Sequence, residues 1–318
     1  AYAPHLGFAR ADEIALTSGM APDAPLRIKA ALIHLLQRAQ SEGGHTCFPL
    51  EALLDGLHRP LPEFGRQCAD EALEDLILGQ EMVLVELEGQ EMLTLPHLQK
   101  MEGESARMLL ERGREEENLL PMDLRQQILA LERENAIVLD ETQRQAIMNV
   151  FLAGVCVITG GPGTGKTTIL RILLQLFDKA GLNVELAAPT GRAAKRLSEA
   201  TDADASTIHR LLGYTGELFT RNQEDLLDCD ALIVDEMSMV DVWLLYNLLR
   251  ALREDTRLVL VGDADQLPAV GVGNVLKDLI DSAALPVTRL TQIYRQGARS
   301  RIITNAHMIN QGQMPLLD

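Results

Sequence analysis

The carboxyl-terminal half of the chain alternates short apolar runs with longer amphipathic segments. Predicted strands cover residues 155–159, 184–188, 231–234, 257–261 and 287–290. Helical spacing of apolar side chains is found at residues 169–180, 242–252 and 272–281. Because repeated strand–helix units with apolar strands form parallel sheets covered by helices on both faces, this half predicts an α/β fold. Ligands of such sheets bind beyond the carboxyl ends of the strands, so the residues that follow the predicted strands are candidate site residues.

The amino-terminal part has a different, mainly helical pattern. Apolar side chains fall at helical spacing in residues 27–42, where two glycines then end the helix, and again in residues 66–78. Residues 82–95 predict a β-hairpin. Helices followed by a two-stranded wing are typical of a winged-helix domain, but many α+β modules share the pattern, and a docking or spacer role fits it as well as nucleic-acid binding. The charged segment 101–117 is predicted to be a solvated linking helix.

Composition places the chain among ordinary globular proteins. Its 318 residues are 47% apolar, 24% charged and only 3% aromatic, which excludes a disordered or collagen-like chain and suggests roughly two domains. No apolar run is long enough to span a membrane, and the first residues lack the features of a signal peptide. We therefore expect a cytoplasmic protein without membrane contact. The four cysteines are widely spaced, so neither structural zinc nor thiol chemistry is predicted.

The charge balance restricts the kind of nucleic-acid site that the chain can carry. It has 29 Lys and Arg residues against 46 Asp and Glu residues, for a formal net charge of −17. An excess of negative charge repels a polyanion at long range. Any DNA or RNA site must therefore be a local basic groove.

The strongest motif is a phosphate-binding loop between a predicted strand and a predicted helix. Residues 160–167 read Gly-Gly-Pro-Gly-Thr-Gly-Lys-Thr and match G-x-x-x-x-G-K-[ST]. Lys166 is expected to reach the β- and γ-phosphates, and the Thr167 hydroxyl to ligate Mg²⁺. ATP and Mg²⁺ are therefore the predicted cofactors. The predicted nucleotide contacts in this loop are Gly161, Pro162, Gly163, Thr164, Gly165, Lys166, Thr167 and Thr168.

Two further strand ends supply candidate catalytic groups. The strand at 231–234 is followed by Asp235, expected to hold the Mg²⁺ shell, and by Glu236, expected to polarise the attacking water. A carboxylate in that position favours a hydrolase over a kinase or a static nucleotide binder. Gln266 follows the strand at 257–261 and is placed to sense the γ-phosphate or orient the water.

The ordered motifs resemble those of superfamily 1 helicases over residues 139–296. The sequences of residues 188–194, 207–213 and 234–239 are similar to the motifs of RecD-type enzymes of the 5′-to-3′ branch, superfamily 1B. The resemblance implies a RecA-like P-loop NTPase fold. It also implies that Gln143 reads the adenine edge, that Tyr294 packs on the base and that Arg295 acts as a catalytic arginine finger on the γ-phosphate.

The resemblance further implies that residues 188–197 and 206–213 line the path of a single strand. The implied DNA-binding residues are Pro189, Thr190, Gly191, Arg192, Lys195, Thr207, His209 and Arg210. A concentration of basic residues that includes Arg196 agrees with the local groove that the net charge requires, and it predicts sequence-tolerant contact with phosphates. The alternative for Lys195 and Arg196 is the basic solvent face of an amphipathic helix.

Residues 5–15 resemble the second half of a helix-hairpin-helix from the amino-terminal region of RecD-like helicases. His5 stands where that motif usually has glycine, so we expect a structural role rather than DNA contact. The predicted organisation is a helix-hairpin-helix remnant at 1–25, a helical winged-helix-like domain at 26–135 and a RecA-like motor domain 1A at 136–318. A superfamily 1 motor has two RecA-like domains, whereas only one is predicted here. We therefore expect this chain to be a fragment of a longer helicase and to be weakly active alone.

The resulting hypothesis is an ATP-dependent, 5′-to-3′ DNA helicase of RecD type that acts in DNA repair or recombination. Its expected partners are single-stranded DNA, junctions of single- and double-stranded DNA, and DNA-repair proteins, with a monomeric chain. One alternative is the motor part of a conjugative relaxase-helicase, which the lack of a relaxase-type Tyr and His cluster in residues 1–135 argues against. The other is a nucleotide-gated scaffold or binding subunit of a DNA-repair complex.

Overall fold

A computed structural model describes residues 7–113, 123–294, 305–306, 308–309 and 312–316. By their contacts the residues form two compact units. Unit 1 comprises Ala1–Gly103 and Val270–Gly273, and unit 2 comprises Glu104–Ala269 and Asn274–Asp318.

Unit 1 has the element order of a winged helix after its first helix. Its elements are α1 (Phe8–Thr17), α2 (Pro25–Gly43), β1 (Cys47–Pro49), α3 (Leu50–Gly56), α4 (Arg66–Leu78), β2 (Val83–Leu87), β3 (Gln90–Thr94) and the first part of α5 (Pro96–Gly113). The strands pair antiparallel in the order β1-β3-β2. The predicted helices and hairpin are present, whereas β1 was not predicted because three residues are too few to give a period-two pattern.

The core of unit 1 forms between α2 and the elements that follow it. Ile28, Leu32 and Leu36 lie on one face of α2 and are fully buried together with Leu93 of β3. Gly44 ends α2 in the left-handed conformation, with φ of +67°, as the sequence predicts. The apolar face of α2 therefore organises this unit.

A buried ion pair joins α1 to α2. Arg27 donates to both carboxylate oxygens of Asp12, at 2.7 and 2.8 Å, and its side chain is only 7% exposed. The hydrogen bond to Asp12 raises the pKa of Arg27, while burial acts in the opposite direction. Phe8 stacks on His34, with 4.8 Å between ring centroids. These contacts fix the short first helix, which buries none of its own residues fully.

Unit 2 has the architecture of a RecA-like P-loop NTPase. Among the described residues, six parallel strands form a sheet in the order β6-β5-β7-β8-β4-β9. The strands are β4 (Val155–Gly160), β5 (Val184–Ala188), β6 (Ala205–Thr207), β7 (Ala231–Val234), β8 (Arg257–Gly262) and β9 (Val287–Leu290). The helices are α6 (Leu124–Glu134), α7 (Glu141–Leu152), α8 (Lys166–Lys179), α9 (Gly191–Thr201), α10 (Ile208–Leu211), α11 (Val242–Arg250) and α12 (Val275–Asp281).

The sheet brings the loops with candidate chemistry to one edge. Every residue of β7 and β8 is buried, as expected for strands covered on both faces. Since β4, β5, β7 and β8 are parallel neighbours, the segments that follow them lie side by side at the carboxyl edge. All five predicted strands are present, and the sixth, β6, was missed because its three residues are partly exposed.

The contacts divide the chain into units at a different position from the predicted domain boundary between residues 135 and 136. Leu124, Ile128 and Leu131 of α6 are buried in the core of unit 2. The apolar face of α6 therefore packs with the parallel sheet and its helices, and the contact boundary lies between Gly103 and Glu104.

The helix predicted at 101–117 is present in its described part, which ends with α5 at Gly113, but the prediction of a solvated helix is only partly correct, because one face is buried. Within unit 2, Leu109 is buried, and so is Arg112. The Arg112 guanidinium donates to the carbonyl oxygens of Arg253 at 2.6 Å and Glu254 at 2.9 Å. The charge of this segment therefore reflects specific buried contacts as well as solvation. Residues 114–117 lie outside the described residues.

Cys156 is buried in β4, and burial raises the pKa of its thiol to about 12, which keeps it protonated in the core.

Among the described residues, no helix is both long enough and apolar enough to cross a membrane.

Candidate functional site

The phosphate-binding loop joins β4 to α8, and its glycines are required by its shape. Gly163 and Gly165 have φ of +80° and +86°, which other residues rarely adopt. A Cβ on Gly160 would lie 2.8 Å from the carbonyl oxygen of Leu290. The Thr164 hydroxyl donates to the Gly161 carbonyl at 2.8 Å. Because α8 begins at Lys166, the unpaired N–H groups of its first turn lie beside the loop, as an anion site needs.

Lys166 lies over the loop that precedes it. Its ammonium donates to the carbonyl oxygens of Gly160 and of Gly161, the latter at 3.2 Å. Burial raises the pKa of the Asp235 and Glu236 carboxyls, and the positive charge of Lys166 opposes this rise.

The acids Asp235 and Glu236 follow β7 directly. Burial raises the pKa of Asp235, while the Glu236 amide, which donates to the Asp235 carboxylate at 2.9 Å, and the charge of Lys166 lower it. Burial also raises the pKa of Glu236, the charge of Asp235 adds to that shift, and Lys166 and Arg196 oppose it. Glu236 has φ of +56°, an uncommon conformation for a residue with a side chain. Such backbone is concentrated at functional sites.

Gln266 is held by the turn that follows β8. Its backbone N–H donates to the Asp263 carbonyl at 3.2 Å, and the Ala264 N–H donates to the Thr159 hydroxyl of β4 at 3.3 Å. Asp263, an acid that directly follows an apolar strand, is only 3% exposed, and its carboxylate accepts a hydrogen bond from the Asp265 N–H at 3.1 Å, which stabilises this turn.

Most of the predicted nucleotide-site residues line one cleft of about 770 Å³ in unit 2. The cleft includes the whole predicted loop from Gly161 to Thr168 together with Asp235, Glu236, Gln266 and Tyr294. Arg295 lies outside the described residues. The sequence did not predict that one side of the cleft is formed by α9. The α9 residues that line it are Ala193, Arg196, Leu197, Glu199 and Ala200.

Gln143 does not line the cleft, since it supports the loop from behind. It is 2% exposed and forms a capping box with Asp140, whose N–H donates to the Gln143 side-chain carbonyl oxygen at 3.1 Å. The Gln143 side-chain nitrogen donates to the Thr164 carbonyl at 3.3 Å. Both polar atoms of its amide are therefore bonded within the protein.

Tyr294 contacts both the loop and α7 while lining the cleft. Its N–H donates to the Gly163 carbonyl at 3.1 Å, and its hydroxyl donates to the Asp140 carboxylate. Burial raises the pKa of Tyr294, and the hydrogen bond to Asp140 raises it further. The ring is thus fixed at the border of the cleft.

A second cleft of about 430 Å³, called the basic groove below, is lined by half of the predicted DNA-binding residues. Gly191, Lys195, Thr207 and Arg210 line it. Further lining residues are Ala194, Ser198, Glu199, Ala205 and Ser206. Lys195 pairs with Glu199 at 3.8 Å on the surface of α9. Two helices, α9 and α10, therefore present basic side chains to one groove.

The other four predicted DNA-binding residues lie outside this groove, and several of the eight have structural contacts. Pro189 and Arg192 do not line it, and neither does Thr190, whose hydroxyl caps α9 by accepting from Ala193 N–H at 3.2 Å. The Thr207 hydroxyl likewise caps α10, accepting from Arg210 N–H at 3.1 Å. His209 joins a cluster of aromatic rings, with centroids 5.3, 5.8 and 6.1 Å from it. They belong to Tyr214, Phe219 and Trp243.

A family model described as an AAA domain matches residues 138–318. The chain belongs to this AAA-domain family. A second model, the HHH domain of the ATP-dependent RecD2 DNA helicase, matches residues 2–47. This match confirms the helix-hairpin-helix resemblance and extends it beyond residue 25, through α2. His5 itself lies outside the described residues.

The chain also matches relatives with known names. The chain is 36% identical to the ATP-dependent RecD2 DNA helicase of Deinococcus radiodurans over 98% of this chain and 44% of that protein. It is 43% identical to the RecBCD enzyme subunit RecD of Mycolicibacterium smegmatis over 44% of this chain and 30% of that protein. A solved Pif1 helicase from Candida albicans aligns with 56% of this chain and 45% of its own, with 28% identity and a TM-score of 0.43. The chain thus spans less than half the length of the relatives that it matches, and its resemblance to RecD-type helicases is confirmed.

Proposed function

We propose that this chain carries the nucleotide site of an ATP-dependent DNA helicase of RecD type. The observation that carries the proposal is that Lys166, Glu236 and Gln266 line one cleft together with the phosphate-binding loop. The name of the Deinococcus radiodurans relative, an ATP-dependent RecD2 DNA helicase, supports the same activity. In the longer protein, hydrolysis of ATP would drive 5′-to-3′ movement along single-stranded DNA and unwinding during repair or recombination.

The donors for a metal ion fit Mg²⁺. The Thr167 hydroxyl and the Asp235 carboxylate are hard oxygen ligands that line the same cleft as the phosphate-binding loop, which suits a cation that also binds nucleotide phosphates. When bound, Mg²⁺ would neutralise charge on the β- and γ-phosphates. The burial that raises the pKa of Asp235 makes an adjacent cation favourable.

The protein groups divide the remaining work of hydrolysis. Lys166 would bind the terminal phosphates in place of its contacts with the Gly160 and Gly161 carbonyls. Glu236 would accept a hydrogen bond from the attacking water, and Gln266 would orient that water. Tyr294 would support the base at the other border of the cleft.

The groove beside α9 is the proposed contact for single-stranded DNA. Lys195 and Arg210 would pair with backbone phosphates, while Gly191 allows close approach. Phosphate contact without base reading predicts sequence-tolerant, salt-sensitive binding. Partners would be single-stranded DNA, junctions with duplex DNA and DNA-repair proteins, for a monomeric cytoplasmic protein.

Unwinding by the full-length protein tests this function. Duplexes with a 5′ or a 3′ single-stranded tail are mixed with the protein, ATP and Mg²⁺, and strand release is measured. We expect release from the 5′-tailed duplex, none from the 3′-tailed duplex and none with Lys166→Ala. If the wild type hydrolyses ATP but releases neither duplex, a nucleotide-gated subunit accounts for the cleft better than a helicase does.

A further inference from the structure

Two neighbouring basic residues of α9 belong to different clefts. Arg196 shares a helical stripe with Ala193, Leu197 and Ala200, and this stripe lines the nucleotide cleft. Lys195 lies one residue earlier and lines the basic groove. A step of about 100° around a helix separates consecutive side chains, so α9 can present one cation to each cleft.

Arg196 differs from Lys195 in its partners as well. Among the described residues, no hydrogen bond or ion pair to Arg196 is formed, whereas Lys195 pairs with Glu199. A guanidinium has five N–H donors in a planar fork that matches phosphate oxygens. An arginine with its donors available, in a cleft with a phosphate-binding loop, is suited to bind a phosphate group.

The position of Arg196 within the cleft indicates which phosphate it meets. Arg196 lines the same cleft as Lys166 and Glu236, and its helix α9 follows β5, which pairs in parallel with β7, the strand that Glu236 follows. Tyr294, by contrast, is bonded to the Gly163 carbonyl and to the Asp140 carboxylate. In the proposed function Glu236 is the group beside the attacked phosphorus, and Arg196 is therefore expected at the terminal phosphate.

We propose that Arg196 is a further catalytic residue, which binds the terminal phosphate of the nucleotide from the same domain as the phosphate-binding loop. The inference rests on the proposed function. In the reaction the water oxygen bonds to the γ-phosphorus, and the bond from that phosphorus to the bridging oxygen breaks. ADP keeps the bridging oxygen with the electron pair, and the water proton passes through Glu236 to solvent. Arg196 stabilises the charge on the phosphoryl oxygens during this exchange.

This role predicts two effects that a solvated surface arginine would not have. Because ADP lacks the terminal phosphate, loss of Arg196 should weaken the binding of an ATP analogue more than the binding of ADP. The contact strengthens as charge develops, so turnover should fall more than affinity. The affinity for single-stranded DNA without nucleotide should stay the same, because Arg196 does not line the basic groove.

The test uses the full-length protein with Mg²⁺ and the variants Arg196→Ala, Arg196→Lys and Arg196→Gln. Arg171→Ala is the matched control, since Arg171 is an exposed residue of α8 outside both clefts. Steady-state hydrolysis is measured with saturating single-stranded DNA, and binding is measured with a non-hydrolysable ATP analogue and with ADP. For Arg196→Ala we expect kcat to fall at least about tenfold, weaker binding of the analogue and ADP binding within about twofold. The lysine variant should recover part of kcat, and Arg171→Ala should match the wild type.

The outcomes separate this inference from the function on which it rests. Normal kcat and an unchanged ratio of analogue to ADP affinity in Arg196→Ala would overturn the role of Arg196 while leaving the ATPase intact. The role of Arg196 would also be overturned if the affinities for the ATP analogue and for ADP fell equally while kcat stayed normal. Absence of hydrolysis in both the wild type and Arg171→Ala would contradict the proposed function itself. If thermal unfolding reveals that the alanine variant is unfolded, the glutamine and lysine variants decide by the same criteria.

Discussion

Gly165 of the phosphate-binding loop and Gln143 of α7 are packed so closely that a Cβ on Gly165 would lie 2.3 Å from the Gln143 side-chain nitrogen. The same nitrogen donates to the Thr164 carbonyl, so the amide both fills the space behind the loop and bonds to it. The shape of the loop therefore depends on a residue far from it in sequence.

Replacing Gly165 with alanine should distort the loop and abolish nucleotide binding. The new methyl group would meet Gln143, and φ of +86° is unfavourable for alanine by about 1–2 kcal/mol. Gly181→Ala is the control, because Gly181 also has a positive φ, of +71°, but a Cβ there would have no neighbouring atom within 4 Å. Titration with a fluorescent nucleotide should detect no binding to the first variant and normal binding to the second. Normal binding to Gly165→Ala would refute the packing argument.

Gln143→Ala should weaken ATP and GTP binding to the same extent. Its amide is bonded to Asp140 and Thr164, so its loss removes support for the loop rather than a contact with adenine. Competition between the two nucleotides measures this ratio in wild type and variant. A loss confined to ATP would instead support the adenine-reading role that the family resemblance implies.

Lys166→Ala and Glu236→Gln should separate nucleotide binding from turnover. The first removes the cation of the loop, and we expect ATP binding to be lost. The second keeps the size of the side chain but removes the carboxylate, so ATP should bind within about threefold of wild type while kcat falls at least about 100-fold. Binding and steady-state hydrolysis by the full-length protein are the measurements. Normal turnover by either variant would be incompatible with the proposed roles.

Arg112→Ala should destabilise unit 2. Arg112 is buried and donates to the carbonyl oxygens of Arg253 and Glu254, which would lose these bonds, at a cost of about 2–3 kcal/mol of unfolding free energy. Arg107→Ala on the same helix is the control, since its exposed pair with Glu111 contributes less than about 1 kcal/mol. Denaturant unfolding compares the two variants. Equal stability of both would contradict the assignment of Arg112 to the core.

The sequence predicts much of this fold because its strands are apolar runs of four or more residues. The strands β4, β5, β7, β8 and β9 follow this pattern, and residues after β4, β7 and β8 line one cleft. The strands β1 and β6 have three residues each, too few for a period to be read.

Side-chain direction was harder to predict than position along the chain. Lys195 and Arg196 are adjacent cations in the sequence, and only the placement of α9 between two clefts assigns them to different sites. The resemblance implies that Gln143 reads the adenine edge, and the sequence did not predict that its amide also bonds to Asp140 in a capping box and to the Thr164 carbonyl. The many charged residues in 101–117 suggested a solvated helix. Composition alone cannot distinguish an exposed arginine from a buried one that bonds to carbonyl groups, as Arg112 does.

Hydrolysis of ATP by the full-length protein, with and without unstructured single-stranded DNA, tests the central claim most directly. The reaction contains Mg²⁺, and Lys166→Ala is the control. The claim predicts strong stimulation by DNA that weakens as salt is raised and that disappears in the variant. Hydrolysis that is indifferent to DNA would contradict it, because the cleft would then be a nucleotide-gated module and the groove beside α9 an ordinary solvated face.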